Sequence, residues 1–376
     1  MDPQSGPTGT PSPEPGGLPG DHASLTAARR RSRELDAEIR HEPSGFRMLT
    51  GDRPTGNLHI GHYFGSLKNR VLLQSLGVDS WVLIADYQVI TDRDAVGPIT
   101  ERVFSLVADY LAVGLDPARC TIFTHSSVPA QNQLMLPFLA LVTDAELRRN
   151  PTVKSEFTAS GGRPMSGLLL TYPVHQATDI LFCKANLVPV GKDQLPHVEQ
   201  ARVIARRFDE RFGRGSRARP IFPRPEALLS DAVNVLGTDG EKMSKSRGNA
   251  IELGMTADVT AKLIRRAVTD TERHITWDPE GRPAVANLVL LASLCTGRNP
   301  SDIADDIGDQ GAGRLKEIVT EALNAELAPI RVRRAELAAD PGHLHAILAE
   351  GNARARARAD ETLGQVREAM SMVYEP

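Results

Sequence analysis

Short apolar runs that alternate with longer helical patterns constrain this chain more than any other feature. FRMLTG (46–51), SWVLIADYQVIT (80–91), CTIFTHS (120–126) and ANLVPVG (185–191) are continuous in apolar character, so they read as buried strands. Between the first two, Ile60, Tyr63, Leu67, Val71 and Leu72 recur at helical spacing. TERVFSLVADYLAVGLD (100–116) is a second helix, with Gly114 as its stop signal. Strands separated by helices of this length imply a mostly parallel sheet covered on both faces. From about Thr256 the strand signals cease, and Ala/Leu/Arg/Glu-rich stretches at 256–268, 286–295, 313–339 and 343–373 read as helices. The expected fold class is α/β: a Rossmann-like parallel-sheet domain over 44–250, followed by an all-helical domain over 251–376.

The first 43 residues stand apart. Residues 1–20 hold six Pro and five Gly and almost nothing apolar, a composition that cannot offset the entropy of ordering. Residues 23–41 have helical composition, but Arg29, Arg30, Arg31 and Arg33 alternate with little worth burying. Residues 1–43 are expected to form a disordered, low-complexity extension. The 376 residues carry 44 Lys+Arg against 47 Asp+Glu, a formal charge of −3. That balance excludes indiscriminate coating of nucleic acid; a polyanion partner must meet a local basic patch. No apolar run approaches the roughly 18 residues of a membrane helix. The opening MDPQSGPTGTPSPEPGG has neither a basic segment nor an apolar core, so no secretory signal is expected. Cys120, Cys183 and Cys295 are isolated, which excludes a CxxC zinc knuckle or a disulfide framework and fits a reducing cytoplasm.

Two strings carry chemistry. The first is Pro54-Thr55-Gly56-Asn57-Leu58-His59-Ile60-Gly61-His62, at a strand-to-helix junction. Gly56 and Gly61 let backbone approach a phosphate closely, and the new helix offers free N–H groups and a positive dipole end. His59 and His62 share one helical turn and, as hydrogen-bond donors, suit an oxygen-rich, pentacoordinate phosphorus. The alternatives are a surface His pair or a two-His metal site; no third ligand lies nearby, so no metal is expected. The second string, about 180 residues later, is Gly240-Glu241-Lys242-Met243-Ser244-Lys245-Ser246-Arg247-Gly248-Asn249. Lys242 and Lys245 in a Gly-bounded loop make a mobile cationic clamp for β- and γ-phosphates as pyrophosphate leaves. Alone, such a KxxK would read as a solvated basic loop.

Together these strings resemble the HIGH and KMSKS signatures of class I aminoacyl-tRNA synthetases. The intervening GLLLTYPVHQATDI (167–180) and LVPVGKDQ (187–194) resemble the tryptophanyl members from bacteria, as do NPTVK (150–154), AVTD (267–270) and LAPIR (327–331). The likeness spans roughly residues 46–373 and is closest to a divergent, second-type branch. It implies ATP as substrate, with Mg²⁺ brought by the triphosphate. It also implies that His59, His62, Lys154, Lys242 and Lys245 stabilise charge at the reacting phosphates. ATP contacts are implied for Arg53, Pro54, Thr55, Gly56, Gly61, His62, Gly191, Lys192, Asp193, Val233 and the run Lys242, Met243, Ser244, Lys245 and Ser246. The tryptophan contacts implied are Gly51, Arg53, Gln88, Tyr172, Gln176, Asp179 and Gln194, with Asp179 accepting the indole N–H. On a helix over 172–180, Tyr172, Gln176 and Asp179 fall on one stripe. A buried Asp179 needs a donor, which the ligand supplies; an amino acid without that N–H leaves the carboxylate unpaired.

Arg53, Gln88 and Gln176 depart from the common pattern of the family, where Gln, His and Met are usual. Tyr-x-x-x-Gln-x-x-Asp is also a pattern of tyrosyl-tRNA synthetases. The expected function is nonetheless activation of L-tryptophan to its adenylate, followed by transfer to the terminal adenosine of tRNA(Trp), by resemblance to the 2′-hydroxyl. The alternatives are a tyrosyl enzyme, or an adenylating or regulatory paralogue that charges no tRNA. The resemblance also implies a homodimer and anticodon recognition by the helical domain, with neither membrane nor DNA as partner. Basic groups cluster there as Lys262, Arg265 and Arg266, as Arg331, Arg333 and Arg334, and as Arg354, Arg356 and Arg358. Seven Arg face seven acids between 331 and 376, so each Arg there reads equally as a phosphate contact or a solvated face.

Overall fold

The computed structural model describes residues 19–91, 97–159, 164–213, 220–229, 235–244 and 247–374. Five strands, β1 (Arg47–Asp52), β2 (Asp79–Ile84), β3 (Cys120–Thr124), β4 (Leu187–Val190) and β5 (Glu226–Leu229), form one sheet in the order β3-β2-β1-β4-β5. Every pairing is parallel, with Met48 opposite both Ser80 and Leu187. Helices cover both faces, which explains why β2 and β3 are buried almost end to end instead of alternating. The α/β expectation holds. Within it, β2 ends at Ile84, short of the expected residue 91. There the Asp86 carboxylate accepts the N–H groups of Tyr87 and Ser126 and turns the chain into a 3₁₀ helix.

The helices in chain order are α1 (Pro19–His41), α2 (Ile60–His62), α3 (Lys68–Leu76), α4 (Ile99–Val113), α5 (Pro129–Gln133), α6 (Met135–Leu139), α7 (Asp144–Arg149) and α8 (Pro151–Ala159). They continue as α9 (Gly167–Phe182), α10 (Leu195–Phe212), α11 (Ala257–Arg266), α12 (Pro283–Thr296), α13 (Pro300–Ile307), α14 (Gly311–Ala338) and α15 (Pro341–Ala369). A π turn at Tyr63–Leu67 joins α2 to α3.

The expectation of disorder over 1–43 fails for residues 19–41. Leu35 and Ile39, four residues apart, are fully buried in α1 and pack with Met48, Leu73, Leu187 and Leu228. Burying two such side chains stabilises the helix by about 3–6 kcal/mol. Arg31 also holds Glu226 with two hydrogen bonds of 2.6 and 2.8 Å. Residues 1–18 lie outside the described residues.

Helices α11 to α15 share the hydrophobic interior of the sheet domain. Leu315, Val319, Leu323 and Leu327 form a stripe of α14 that packs in one cluster with Leu58, Ile60, Leu67 and Val82. Ala355, Ala359, Leu363 and Val366 of α15 join the cluster on the opposite face. Arginines stitch this docking: Arg354 donates to the carbonyls of Pro117 and Cys120, and Arg356 to that of Ser127. Arg331 works among the C-terminal helices, donating to Thr260 of α11 and to Asn324 of its own α14. Lys262, Arg265, Arg266 and Arg333 stay exposed.

Both edges of the sheet are covered. At β3, the Asn352 side chain accepts Thr124 N–H at 3.0 Å. Gly351 lets α15 lie so close that a Cβ there would stand 1.8 Å from Ile122 O. At β5, the Ser32 hydroxyl accepts Leu229 N–H at 2.9 Å. Polar groups that would otherwise face a neighbouring strand are thereby satisfied. Among the described residues no helix is long and apolar enough to cross a membrane. The three cysteines are free, with Cys120 and Cys183 buried.

Candidate active site

Strand order reverses between β1 and β4, and a ligand crevice opens at such a switch point, beyond the carboxyl ends of the strands. A cavity of about 550 Å³ lies there. Its walls come from the ends of β1 (Gly51, Asp52, Arg53), β2 (Ala85, Gln88) and β4 (Val190, Gly191), from the α2 region (Gly56, His62) and from α9 (Tyr172, Gln176, Asp179). Gly51 is needed for this closeness, since a Cβ there would meet Leu83 O at 2.4 Å.

At one end, Thr55, Gly56 and His62 line the cavity, and Gly56 adopts φ +148°. The two histidines do not both face it. Their rings stack at 3.8 Å; His62 lines the wall, while His59, 9% exposed, lies behind it. His62 Nδ1 accepts His59 N–H at 3.2 Å, which fixes the turn. Pro54 is buried and, like Gly61, outside the lining.

The two signatures meet. Ile60 N–H donates to Ile251 O and Leu253 N–H to Leu58 O, so the segment after the second signature runs antiparallel beside the first. A Cβ at Gly61 would stand 3.0 Å from the His59 ring and 3.6 Å from Met243 Sδ, so the missing side chain makes room for both. Lys242 is exposed, Met243 buried and Ser244 half-buried. Asn249, 2% exposed, holds the loop: its Oδ1 accepts Ser244 N–H at 2.7 Å, and its Nδ2 donates to Asp239 and to Lys242 O. Lys245, Ser246 and Val233 lie outside the described residues.

At the other end, Gln176 Nε2 donates to Gln194 Oε1 at 3.3 Å, and Gln194 Nε2 to Asp193 at 2.9 Å. Residues expected from separate segments thus form one polar chain along the wall. Lys154 and Lys192 are exposed and do not line the cavity.

Asp179 needs a correction. It is 2% exposed and lines the cavity as expected, but it is paired without any ligand. His125 Nε2 lies 3.1 Å from its Oδ1, and Gln131 donates to the same oxygen. Burial works against ionisation, but the charge and hydrogen bonds of His125, with the His175 and Gln131 contributions, hold Asp179 below the usual carboxylate range. His175, lowered by burial, hydrogen-bonds Asn132 at 2.9 Å. The donor atoms of His125, His175 and Asp179 lie within 4.8 Å of one another, and hydrogen bonds engage all three residues.

Other wall residues lie outside the expected set. Asp52 is gripped by Arg70 at 2.6 Å and by the Tyr110 hydroxyl at 2.7 Å. Burial raises its pKa, but Arg70 outweighs this and holds the carboxyl at about 2. Its place as the last residue of β1, at the strand's carboxyl end, was the available signal. His197, 1% exposed, packs its ring 5.4 Å from Tyr172, and burial pushes its pKa down to about 4.

The family of class I tRNA synthetases for W and Y matches residues 42–328. A tryptophan–tRNA ligase of Treponema pallidum is 41% identical over 342 residues, 88% of this chain and 98% of the relative. One of Streptococcus pneumoniae serotype 4 is 42% identical over 341 residues, 87% and 98% of the two chains. A solved tryptophanyl-tRNA synthetase from Campylobacter jejuni, complexed with ADP and tryptophan, is similar with a TM-score of 0.73 and 31% identity, covering 86% of this chain and 99% of that one. The chain belongs to the class I aminoacyl-tRNA synthetases of the tryptophanyl and tyrosyl family.

Proposed function

We infer that this chain activates tryptophan with ATP and transfers it to tRNA, the reaction of a tryptophan–tRNA ligase. One observation carries the reading. The buried Asp179 carboxyl faces the same cavity as His62 and Gly56, in a chain about two-fifths identical to tryptophan–tRNA ligases along nearly their whole length. The tyrosyl and non-charging alternatives have no comparable support.

In the first step the tryptophan carboxylate attacks the α-phosphate in line, giving the adenylate and pyrophosphate. In the second, a hydroxyl of the terminal tRNA adenosine attacks the adenylate carbonyl, forming the ester as the bond to the phosphate breaks; AMP leaves and its phosphate takes up the hydroxyl proton. Neither step needs a covalent enzyme nucleophile, so the acceleration comes from positioning and charge. We assign His62, Lys154, Lys242 and Lys245 to the phosphates, with Lys154 and Lys242 reaching in from exposed positions, and His59 to holding the turn that presents His62 to them. Arg53, Pro54, Thr55, Gly56, Gly61, Gly191, Lys192, Asp193, Val233, Met243, Ser244 and Ser246 are assigned to ATP. Gly51, Arg53, Gln88, Tyr172, Gln176, Asp179 and Gln194 are assigned to tryptophan.

The carboxylates of the wall are Asp52, Asp179 and Asp193, and each is engaged, by Arg70, by His125 with Gln131, and by Gln194. They form no cage for Mg²⁺, which would arrive with the triphosphate. Lys262, Arg265, Arg266 and Arg333, exposed on the C-terminal helices, are assigned to tRNA. By likeness to the family we assign to this chain a homodimer and a cytoplasmic location; Leu136 of α6 and Phe157 of α8 are exposed apolar side chains.

Amino-acid-dependent ATP–pyrophosphate exchange with each of the twenty amino acids, then charging of total tRNA, tests this reading. Tryptophan alone should support exchange and charging; exchange with tyrosine in its place would overturn it.

A further inference from the structure

Two buried side chains outside the cavity wall converge on one oxygen of the carboxylate that faces it. His125 and Gln131, both 0% exposed, hydrogen-bond Asp179 Oδ1. Oδ2 accepts no hydrogen bond from any described residue, and Asp179 lines the cavity. A carboxylate turns about a broad sp³–sp² torsion. Two donors on the same oxygen remove that freedom and leave the second oxygen as the one to meet a ligand.

The donors are themselves held. His125 starts the 3₁₀ turn His125–Ser127, and Gln131 sits one helical turn later in α5. Asn132 donates to His125 O and Val128 O, which ties the two turns together. The His125 ring lies 4.6 Å from that of His175 and 6.2 Å from that of Tyr87. Its other nitrogen, Nδ1, stands 3.9 Å from Asp86 Oδ1 and has no hydrogen-bond partner among the described residues. Only the Nε2 side of the imidazole is committed, and it is committed to Asp179.

We propose that His125 and Gln131 are positioning residues for amino-acid selection. They pin Asp179 Oδ1 and so present Oδ2 to the N–H of an indole, which gives discrimination against rings that lack that donor. The proposal rests on the reading of Asp179 as the indole-binding carboxylate.

The test compares L-tryptophan with β-(1-benzothiophen-3-yl)alanine, in which sulfur replaces the indole N–H, in ATP–pyrophosphate exchange. The readout is the ratio of kcat/KM for the two amino acids. His125→Leu should lower this ratio at least about tenfold, through KM for tryptophan, while His125→Gln, which retains an N–H donor, should stay within about threefold of wild type. Gln131→Leu removes the other donor and should lower the ratio too; it decides the matter if His125→Leu does not fold. A purely structural role would depress both amino acids alike. An unchanged ratio in His125→Leu and Gln131→Leu, with collapse in Asp179→Asn, overturns the proposal and leaves the reading of Asp179 standing. An unchanged ratio in Asp179→Asn removes both.

Discussion

Arg334 Nε lies 2.6 Å from Oδ1 of Asp109, a carboxylate 1% exposed whose other oxygen accepts the backbone N–H of Leu58. Through this pair α14 grips the turn that carries His59. Two turns earlier the same helix sends Glu326 to the Tyr63 hydroxyl at 2.6 Å and to Lys68 at 2.9 Å. Both ends of the α2 region are therefore clasped by one helix of the C-terminal half. Arg334→Met leaves Asp109 buried without its cation and should cost about 2 kcal/mol, below the range for fully buried pairs because Arg334 is partly solvated. Thermal unfolding measures the loss, and KM for ATP should rise with it. The double variant with Asp109→Leu should recover part of the stability.

Gly351→Ala tests how α15 docks. The new methyl meets Ile122 O, a backbone atom that no rotamer change can move. The helix must lift from β3, and the loss should exceed about 3 kcal/mol. Denaturant unfolding should show a lower midpoint; an unchanged midpoint would mean that the helix does not sit as described.

Asn249→Ala frees the loop of the second signature by removing the bonds to Ser244, Asp239 and Lys242. Loss of preorganisation should slow ATP–pyrophosphate exchange by about 10- to 100-fold. The exchange rate should fall by far more than the melting temperature does.

Acid stability should depend on His197. Its folded pKa, about 4, lies below the ordinary histidine value because the ring is buried. Between that value and about 6.5 the unfolded chain binds the proton and the folded one does not, so stability falls as pH drops through this window. At pH 5 the loss from this group is about 2 kcal/mol relative to neutral pH. His175, also lowered by burial, works in the same direction. His197→Phe should flatten the melting temperature between pH 7 and 5; an equal slope in variant and wild type would remove His197 as the cause.

How much of this could be read from residues alone depended on range. The runs over 46–51 and 120–126 were legible because both faces are covered, so the apolar signal is continuous. Glu226–Leu229 was not, being four residues of which only Leu228 is buried, too short to show a pattern of their own. The helix over 19–41 was misread because, among its described side chains, the buried apolar ones are two, Leu35 and Ile39, set among charges, and the partners Leu187 and Leu228 are remote in sequence. The two signatures were legible as strings, whereas their contact through Gly61 and Met243 was not. Asp179 was identified, but His125 and Gln131, 54 and 48 residues upstream, were missed because hydrogen-bond partners leave no periodic trace.

The covering of both sheet edges carries a consequence for synthesis. The β5 edge is covered as soon as residue 229 has been made, because Ser32 and Arg31 precede it by some 195 positions. The β3 edge waits longer, since Asn352 follows Thr124 by 228 positions. While ribosomes extend this chain, a strand with open N–H groups stays available to any extended neighbour for most of translation. Crowded expression should favour edge-to-edge pairing between nascent copies, and slower elongation or a chaperone that shields strands should raise the yield of native protein.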